Sequence, residues 1–462
     1  MVTASDVANL TGRLHGEVVE PGDPDYDAAR AVWNGMIDKR PALIARCRGT
    51  GDAVAAVNFA RDSRLPLAVR GGGHNVAGMA VADGGLVVDL SPMRGVRVDP
   101  QRRTVRVEGG ARLGDVDRET QVHGLATPTG VVSRTGVAGL TLSGGIGWLR
   151  RKYGMSCDNL VSAEVVTADG GVLTASPGEH AELFWGLQGG GGNFGVVTSF
   201  EFRLHRIGPQ VMFCFVLYPG DRAADVVRSC DQYMTDAPDE VSPVAFLGRV
   251  PAAEMFPRQW QGHPFIAVAA MYAGGVADGE RVLSPLRGLH EPIVDLSAAQ
   301  PYVEAQQALD EEYPDGGRYY WKSTHLDGLG EEVDRLVAHA DIAPSDLSTI
   351  DVWYQGGAMS RVGAADTAFG DRSAPILIAP EANWSHRHDD AANLDWARRC
   401  IEDLRRFSDR GGYLNFPGFL EEGDGLVRTA YGDNYQRLAA VKAAYDPANL
   451  FRLNQNIKPS QR

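Results

Sequence analysis

The stretch Arg70–Gly78 reads RGGGHNVAG and follows a short aliphatic run, LPLAV (Leu65–Val69), that predicts a buried strand. Three consecutive glycines remove every Cβ at a place where the backbone must approach another group closely. The turn then presents a histidine, His74, at its exit. The pattern is typical of a backbone cradle with one reactive ring nitrogen, and a tight glycine turn with a solvated histidine is the alternative.

The residues before this stretch predict a βαβ unit. PALIARC (41–47) and LPLAVR (65–70) have the apolar character of strands, and GDAVAAVNFARDS (51–63) between them has helical spacing. The unit places RGGGHN at the carboxyl end of its second strand. Ligands of α/β sheets commonly bind at that edge.

Two further glycine blocks follow along the chain. They are TGVAGLTLSGGIGWLRRKYGMSCDNL (135–160) and GGGGNFGVVTSFEFRLH (189–205). Three such blocks indicate one large ligand that the backbone contacts at several points. The third block contains G-x-G-x-x-G, but VVTSFEF after it predicts a strand rather than a helix, which excludes a Rossmann fingerprint. The chain has no P-loop and no G-x-S-x-G motif.

The composition is that of a globular protein of two large or about three smaller domains. A net charge of −14 argues against nucleic acid or an anionic membrane as a partner. Five scattered cysteines without C-x-x-C, and no visible signal peptide or membrane span, predict a cytoplasmic location. We expect no metal site, since His386 and His388 beside Asp389 read as a polar loop.

The second half of the chain has a different pattern of predicted strands and helices. Residues 210–412 alternate strands such as PFIAVAAMYAGG with helices such as NLDWARRCIEDLRRFS, which predicts an α+β region of antiparallel character. Tyr354, Gln355 and Trp384 are candidate pocket walls there, although core packing explains aromatic residues on strands equally well.

Together, RGGGHN, the two later glycine blocks and the terminal YGDNYQRL…YDPANLFRLNQNI resemble the FAD-linked oxidases of the vanillyl-alcohol oxidase and berberine bridge enzyme group. The resemblance covers essentially the whole chain and is closest to the compact bacterial members of the 6-hydroxy-D-nicotine oxidase type. It implies an α+β fold with a two-subdomain FAD-binding domain of the p-cresol methylhydroxylase type in residues 1–207 (core 39–207). Residues 208–414 would form a substrate domain with an antiparallel sheet covered by helices, and residues 415–462 would return to the FAD domain.

The resemblance also implies the cofactor, FAD, bound covalently through His74. Backbone N–H groups of the glycine blocks would hold the pyrophosphate, and the NQN segment would complete the pocket. The residues expected to bind FAD are His74, Arg70, Gly71, Gly72, Gly73, Asn75, Gly78, Thr135, Gly136, Gly139, Ser143, Gly144, Gly147, Asp158, Asn159, Asn193, Gly195, Val196, Val197, Asn454 and Asn456.

A second covalent link through cysteine, which some members of the group have, is not expected here. Counting back from Gly136 places Val132 where that cysteine would stand, and valine cannot form the bond. Cys157 occupies a position where related chains carry a small residue, and we interpret it as a packing residue.

The catalytic base departs from the group's pattern. Many relatives use the second tyrosine of Y-L-N-Y-x-D, whereas this chain reads YLNFPG with Phe416 in that place. Tyr413 and Tyr153 are the remaining candidates, and either would need a lowered pKa to act near neutrality. A neutral amine can lose hydride without a strong base, so the change favours amines or easily oxidised carbinols.

The resemblance therefore predicts an oxidase that moves a hydride from an alcohol or amine carbon of a small or medium-sized organic molecule to FAD. Oxygen would be the acceptor and hydrogen peroxide the product. A flavin dehydrogenase with another acceptor and a non-catalytic flavoprotein that sequesters a metabolite are the alternatives. The expected partners are a small-molecule substrate and oxygen, with the chain a monomer or a homo-oligomer.

Overall fold

The computed structural model describes residues 3–461. Its first sheet contains β1 (Glu17–Val19), β2 (Leu43–Arg46), β3 (Leu67–Arg70) and β4 (Leu86–Asp89), accompanied by the helices α1 (Ala4–Thr11), α2 (Tyr26–Arg30) and α3 (Thr50–Asp62). The strand order is β1–β2–β4–β3, and β4 pairs in parallel with both β2 and β3. The predicted βαβ unit is therefore present, with β4 inserted between its two strands.

The second sheet is built from the segments between the glycine blocks. Its elements and their neighbours are β5 (Val96–Asp99), β6 (Thr104–Glu108), α4 (Leu113–Gln121), β7 (Leu125–Ala126), α5 (Val137–Leu142), α6 (Arg150–Tyr153), β8 (Leu160–Val166), β9 (Val172–Ala175), α7 (Ala181–Leu187), β10 (Val196–Arg203) and β11 (His205–Arg206). The order is β5–β6–β10–β8–β9, all antiparallel, and β7 pairs with β11. The third glycine block enters strand β10, as predicted.

The third sheet has nine strands and spans the second half of the chain. Its elements are β12 (Gln210–Pro219), α8 (Ala223–Asp236), β13 (Val241–Arg249), β14 (Pro264–Tyr272), α9 (Val276–Arg287), β15 (Val294–Asp295), β16 (Ala298–Pro301), α10 (Tyr302–Gln306), β17 (Arg318–Trp321), β18 (Thr324–Leu326), α11 (Glu332–Asp341), β19 (Thr349–Tyr354), β20 (Ile376–Trp384) and α12 (Asp390–Leu404). The main path is β15–β12–β14–β13–β19–β20–β17, with β16 on β12 and β18 on β20, all antiparallel.

Alternating side chains give the third sheet two different faces. On β19, Val352 and Tyr354 pack in the core beneath helices α8, α9, α11 and α12, whereas Trp353 belongs to the core shared with Trp148 and Val132 of the first half. One face is thus covered by helices and the other looks toward the glycine blocks. This α+β arrangement confirms the predicted fold class.

The chain ends with α13 (Asp424–Tyr431), α14 (Asn434–Tyr445) and the NQN segment. The ammonium group of Lys442, which is completely buried, donates to the carbonyl oxygens of Asn193 (2.7 Å) and Phe451 (2.9 Å) and pairs with Asp446 (2.6 Å). These bonds hold the tail against the third glycine block. Among residues 3–461, no helix combines the length and apolar character that a membrane crossing requires.

Candidate active site

The three sheets and the tail surround one cavity with a volume of about 240 Å³. The RGGGHN turn supplies one edge, α5 and the third glycine block supply the floor, and the third sheet supplies the opposite wall. The predicted FAD residues that line it are Gly71, Gly72, Gly73, His74, Asn75, Thr135, Gly136, Gly139, Ser143, Gly195, Val197 and Asn454. Most of the predicted set is therefore brought together from distant parts of the chain.

The glycines at this site serve two different purposes. A Cβ on Gly72 would stand 2.5 Å from the Cα and the N of Gly136, so these glycines allow the first two blocks to touch each other. In contrast, a Cβ on Gly139 or Gly192 would have no neighbour within 4 Å, and both positions line the cavity. Their open faces are where a flat ligand can approach the backbone.

His74 is half-buried at the cavity edge, and its imidazole is neutral. Burial lowers its pKa to about 3, and its Nε2 atom has no hydrogen-bond partner. The ring stacks on Trp33 with 4.0 Å between centroids, and Tyr319 stacks on the other face of Trp33 at 3.8 Å. The imidazole therefore presents an unshared electron pair in a fixed orientation, as a nucleophile requires.

The NQN segment adds acceptors to the site. Asn454 donates from Nδ2 to the carbonyl oxygens of Gly192 (2.9 Å) and Phe451 (3.1 Å), and its buried Oδ1 has no partner. Asn456 also has an unpartnered buried Oδ1, although it does not line the cavity. Free acceptors of this kind fit the N–H and O–H groups of a nucleotide.

Four polar residues predicted to bind FAD do not line the cavity and use their side chains within the protein instead. Arg70 pairs with Asp89 across β3 and β4 at 2.6 Å. Asp158 pairs with Arg372 at 2.6 Å. The side chain of Asn159 donates to the carbonyl oxygens of Tyr153 and Met155. The side chain of Asn193 donates to the carbonyl oxygens of Gly190 and Gln455 and accepts a hydrogen bond from the amide of Ile457. Their side chains thus support the site from behind, and their role as FAD ligands stays a prediction.

Gly78, Gly144, Gly147 and Val196 also lie outside the lining, and their contacts with FAD likewise stay a prediction. Gly147 packs so closely that a Cβ would stand 1.9 Å from the carbonyl oxygen of Thr129. Gly78 and Gly144 have φ of +63° and +110°, which glycine adopts readily. Val196 is a fully buried core residue of β10.

The two candidate bases have different surroundings. Tyr413 lines the cavity, and its hydroxyl oxygen accepts from the amides of Gly145 (3.0 Å) and Asn415 (2.7 Å). Burial raises the pKa of Tyr413 to about 12, the opposite of what a base near neutrality needs. Tyr153 stacks on His205 at 3.9 Å and is not part of the lining. Tyr413 therefore lies in the cavity with a pKa raised rather than lowered, and Tyr153 lies outside the lining.

Val132 lines the cavity, as its place in the sequence suggested. Cys157 is fully buried beside Asp158 and Arg372, and burial raises the pKa of its thiol. No cysteine among residues 3–461 lines the cavity. Attachment through His74 alone stays a prediction.

The sequence interpretation missed two acids on the opposite wall, Asp351 of β19 and Glu381 of β20, which we call the carboxylate pair. Thr349 is the cross-strand partner of Glu381, so Asp351, two residues along, lies diagonally opposite on the same face. Both line the cavity with 1% and 2% of their surface exposed. Tyr313 donates to Glu381 (2.9 Å) and Thr349 to Asp351 (2.7 Å).

Burial raises the pKa of Asp351 to about 7 and that of Glu381 well above its usual range. A signal was present in the sequence, because each acid interrupts an apolar strand, in TIDVWY and ILIAPEANW. None of the candidate walls Tyr354, Gln355 and Trp384 lines the cavity, and the residue next to Tyr354 that does is Trp353. Tyr354 points to the helical layer, where it donates to the carbonyl oxygen of Val227, and Trp384 donates to Asp390.

These features fit FAD: open glycine faces, an unpartnered imidazole nitrogen and the free amide oxygen of Asn454 converge on one cavity. They define the class of flavin-dependent oxidoreductases. Residues 41–176 match the FAD binding domain family, and residues 412–458 match the berberine and berberine-like family.

The FAD-linked oxidoreductase YgaK of Bacillus subtilis is 32% identical, with 97% of this chain and 98% of that protein aligned. The (R)-6-hydroxynicotine oxidase of Paenarthrobacter nicotinovorans is also 32% identical, over 96% and 97%. A crystal structure of 6-hydroxy-D-nicotine oxidase from Arthrobacter nicotinovorans superposes with a TM-score of 0.86, covering 97% of this chain and 98% of that one. The protein belongs to the FAD-linked oxidoreductases with a berberine-like C-terminal segment.

Proposed function

We propose that the protein is an FAD-dependent oxidase that removes a hydride from an alcohol or amine carbon of a small or medium-sized organic molecule. The overall reaction converts the alcohol to a carbonyl compound, or the amine to an imine, while one O₂ becomes H₂O₂. The observation that carries the proposal is His74, a neutral imidazole whose buried Nε2 has no hydrogen-bond partner at the cavity edge. The relative named (R)-6-hydroxynicotine oxidase, which aligns with 96% of this chain, supports the oxidase assignment.

In this proposal the parts of the chain have separate tasks. Residues 1–207 and 415–462 hold FAD, and residues 208–414 select the substrate. His74 forms the one covalent bond to the flavin, and Val132 leaves no second attachment point. When bound, FAD supplies a two-electron acceptor for the hydride. The buried, unpaired cysteines fit the reducing cytoplasm as the proposed compartment.

The protein's own residues exclude water and fix the reactants. Trp321, Phe416 and Trp353 line the substrate side of the cavity with apolar rings, which favours a substrate with aromatic or aliphatic surface. Tyr413 keeps its proton near neutrality because of its raised pKa, so it serves as a hydrogen-bonding group. Proton acceptance falls to other residues of the same cavity.

The covalent bond is tested by acid precipitation of the purified protein. We expect the yellow colour to stay with the wild-type pellet and to remain in the supernatant of His74→Ala, because among residues 3–461 neither a cysteine nor a second histidine lines the cavity. Flavin in the His74→Ala pellet would contradict attachment through this residue.

The acceptor is tested separately. Stopped-flow mixing of the substrate-reduced protein with air-saturated buffer should reoxidise the flavin rapidly and yield peroxide. Slow reoxidation that an electron-carrying dye accelerates would identify a dehydrogenase. Peroxide from no member of a broad substrate panel would favour a metabolite-sequestering flavoprotein.

A further inference from the structure

Within residues 3–461, no positive side chain neutralises the carboxylate pair. The groups that raise or lower the pKa of Asp351 and Glu381 are burial, each other, Thr349 and Tyr313, and no cation is among them. Arg150 lies 5.3 Å from the ring centroid of Trp353, but its guanidinium donates to backbone carbonyl oxygens. The wall therefore carries an acidic group without a counter-charge.

The other titratable groups that line the cavity are neutral near pH 7. Burial lowers the pKa of His74 to about 3, raises that of Tyr413 to about 12 and raises that of Tyr313 well above its usual range. Adjacent buried carboxylates cannot both ionise, so the pair retains one proton and carries a single negative charge. Buried unpaired charges are costly, and they concentrate at functional sites where a ligand completes them.

Aromatic rings surround this charge. Trp321, Trp353 and Phe246 line the cavity together with the carboxylate pair. Trp353 lies on β19, the strand of Asp351, and Trp321 lies on β17, which pairs with the strand of Glu381. Ring faces attract cations, and Trp attracts them most strongly. A buried negative charge among aromatic rings is a site for a positively charged nitrogen with apolar substituents.

We propose that Asp351 and Glu381 form the seat for the protonated amino group of the substrate, which makes the substrate an organic amine rather than an alcohol or a sugar. The inference rests on the proposed function and narrows its substrate class. The substrate's ammonium N–H proton passes to the singly ionised pair, which then holds two protons and is neutral. The amine left behind has a free electron pair on nitrogen, as hydride loss from the adjacent carbon requires.

The test measures binding, without turnover, by calorimetry under anaerobic conditions. The probes are matched pairs that differ only in charge, beginning with N-methylbenzylamine and benzyl methyl ether and extending to larger amine–ether pairs. We expect the wild type to bind amines about tenfold or more tightly than their ethers. The double variant Asp351→Asn/Glu381→Gln, which removes both carboxyls of the pair, should lose this preference.

Asp117→Asn is the matched control. Asp117 is equally buried and its pKa is also raised to about 7, but it bonds to Gln306 and does not line the cavity. This variant should keep the preference for amines. Titration in two buffers of different ionisation enthalpy adds a second measurement: amine binding should release about one proton at pH 6, where the pair is doubly protonated, and none at pH 8.

Equal affinity for amines and ethers across the whole panel would overturn the inference, and so would a preference that survives in the double variant Asp351→Asn/Glu381→Gln. These results are separable from failure of the proposed function. A flavin-loaded protein that forms peroxide from alcohols without preferring amines refutes the amine seat alone. A protein that prefers amines but forms no peroxide refutes the oxidase alone.

Discussion

Gly139 is the position where a larger side chain should separate cofactor binding from folding. It lies in the first turn of α5, faces the cavity, and leaves open space where a Cβ would stand. Leucine favours a helix over glycine by about 0.8 kcal/mol. We therefore expect Gly139→Leu to fold normally while its side chain occupies space that FAD needs.

The expected loss of FAD affinity follows because the leucine side chain and FAD cannot both occupy this space. Forcing extra apolar atoms into a fitted space costs about 1–3 kcal/mol. That cost corresponds to roughly 5- to 150-fold weaker binding. The flavin content of the purified variant should fall accordingly, with secondary structure unchanged.

The assay is the visible flavin absorbance per mole of purified protein, with circular dichroism to confirm folding. Gly51→Leu is the matched control, because Gly51 lies in the first turn of α3 with no neighbour within 4 Å of a Cβ and does not line the cavity. If Gly139→Leu retains as much flavin as Gly51→Leu, the reasoning that places FAD against α5 is refuted.

Two further predictions concern the acids and the tyrosine of the cavity. Tyr413→Phe should reduce kcat by less than about tenfold and leave the pH profile of kcat unchanged. Loss of a true catalytic base typically lowers the rate by a factor of about 10²–10⁴. Steady-state kinetics across pH distinguishes the two outcomes. Asp351 has a folded-state pKa of about 7, above the ordinary 3.8, so its protonated form stabilises the fold at low pH and that contribution is lost as pH rises toward 7. Asp351→Asn escapes this loss, which in the wild type amounts to up to about 1.4 kcal/mol of unfolding free energy per pH unit. The melting temperature of the variant should therefore rise relative to that of the wild type from about pH 4 to 7, and parallel curves of melting temperature against pH would contradict this.

The elements of the first half were predictable because their signals are local. The βαβ unit around α3 and the hairpins β5–β6 and β8–β9 follow from apolar periodicity and turn residues in adjacent segments. The insertion of β4 between β2 and β3 was not predictable from pattern, since pairing between distant strands leaves no local trace.

The candidate site was predictable only as motifs. The glycine blocks identified the ligand class, yet which glycines face a ligand and which face each other depends on tertiary approach, as Gly139 and Gly72 show. Polar residues inside the motifs, such as Asn193, carry no sequence mark that separates a ligand from a support.

The wall of the third sheet was missed for a geometric reason. Strand residues alternate between faces, so an error of one position assigns a residue to the wrong face of the sheet. Trp353 and Asp351 line the cavity, whereas Tyr354 packs on the opposite face. Asp351 and Glu381 were visible in the sequence as acids within apolar strands, but only the pairing register of β19 and β20 brings them together.

The dipeptide Trp33–Asn34 joins the first sheet's turn to the third sheet. Trp33 stacks on His74 and donates from Nε1 to the carbonyl oxygen of Tyr313, and Asn34 donates to the carbonyl oxygens of Val76 and Tyr319. Transplanting residues 208–414 from a relative would therefore replace one side of these contacts and leave Trp33 and Asn34 unchanged on the other. Chimeric enzymes with new substrate ranges should need residues 33–35 to be exchanged together with the transplanted segment.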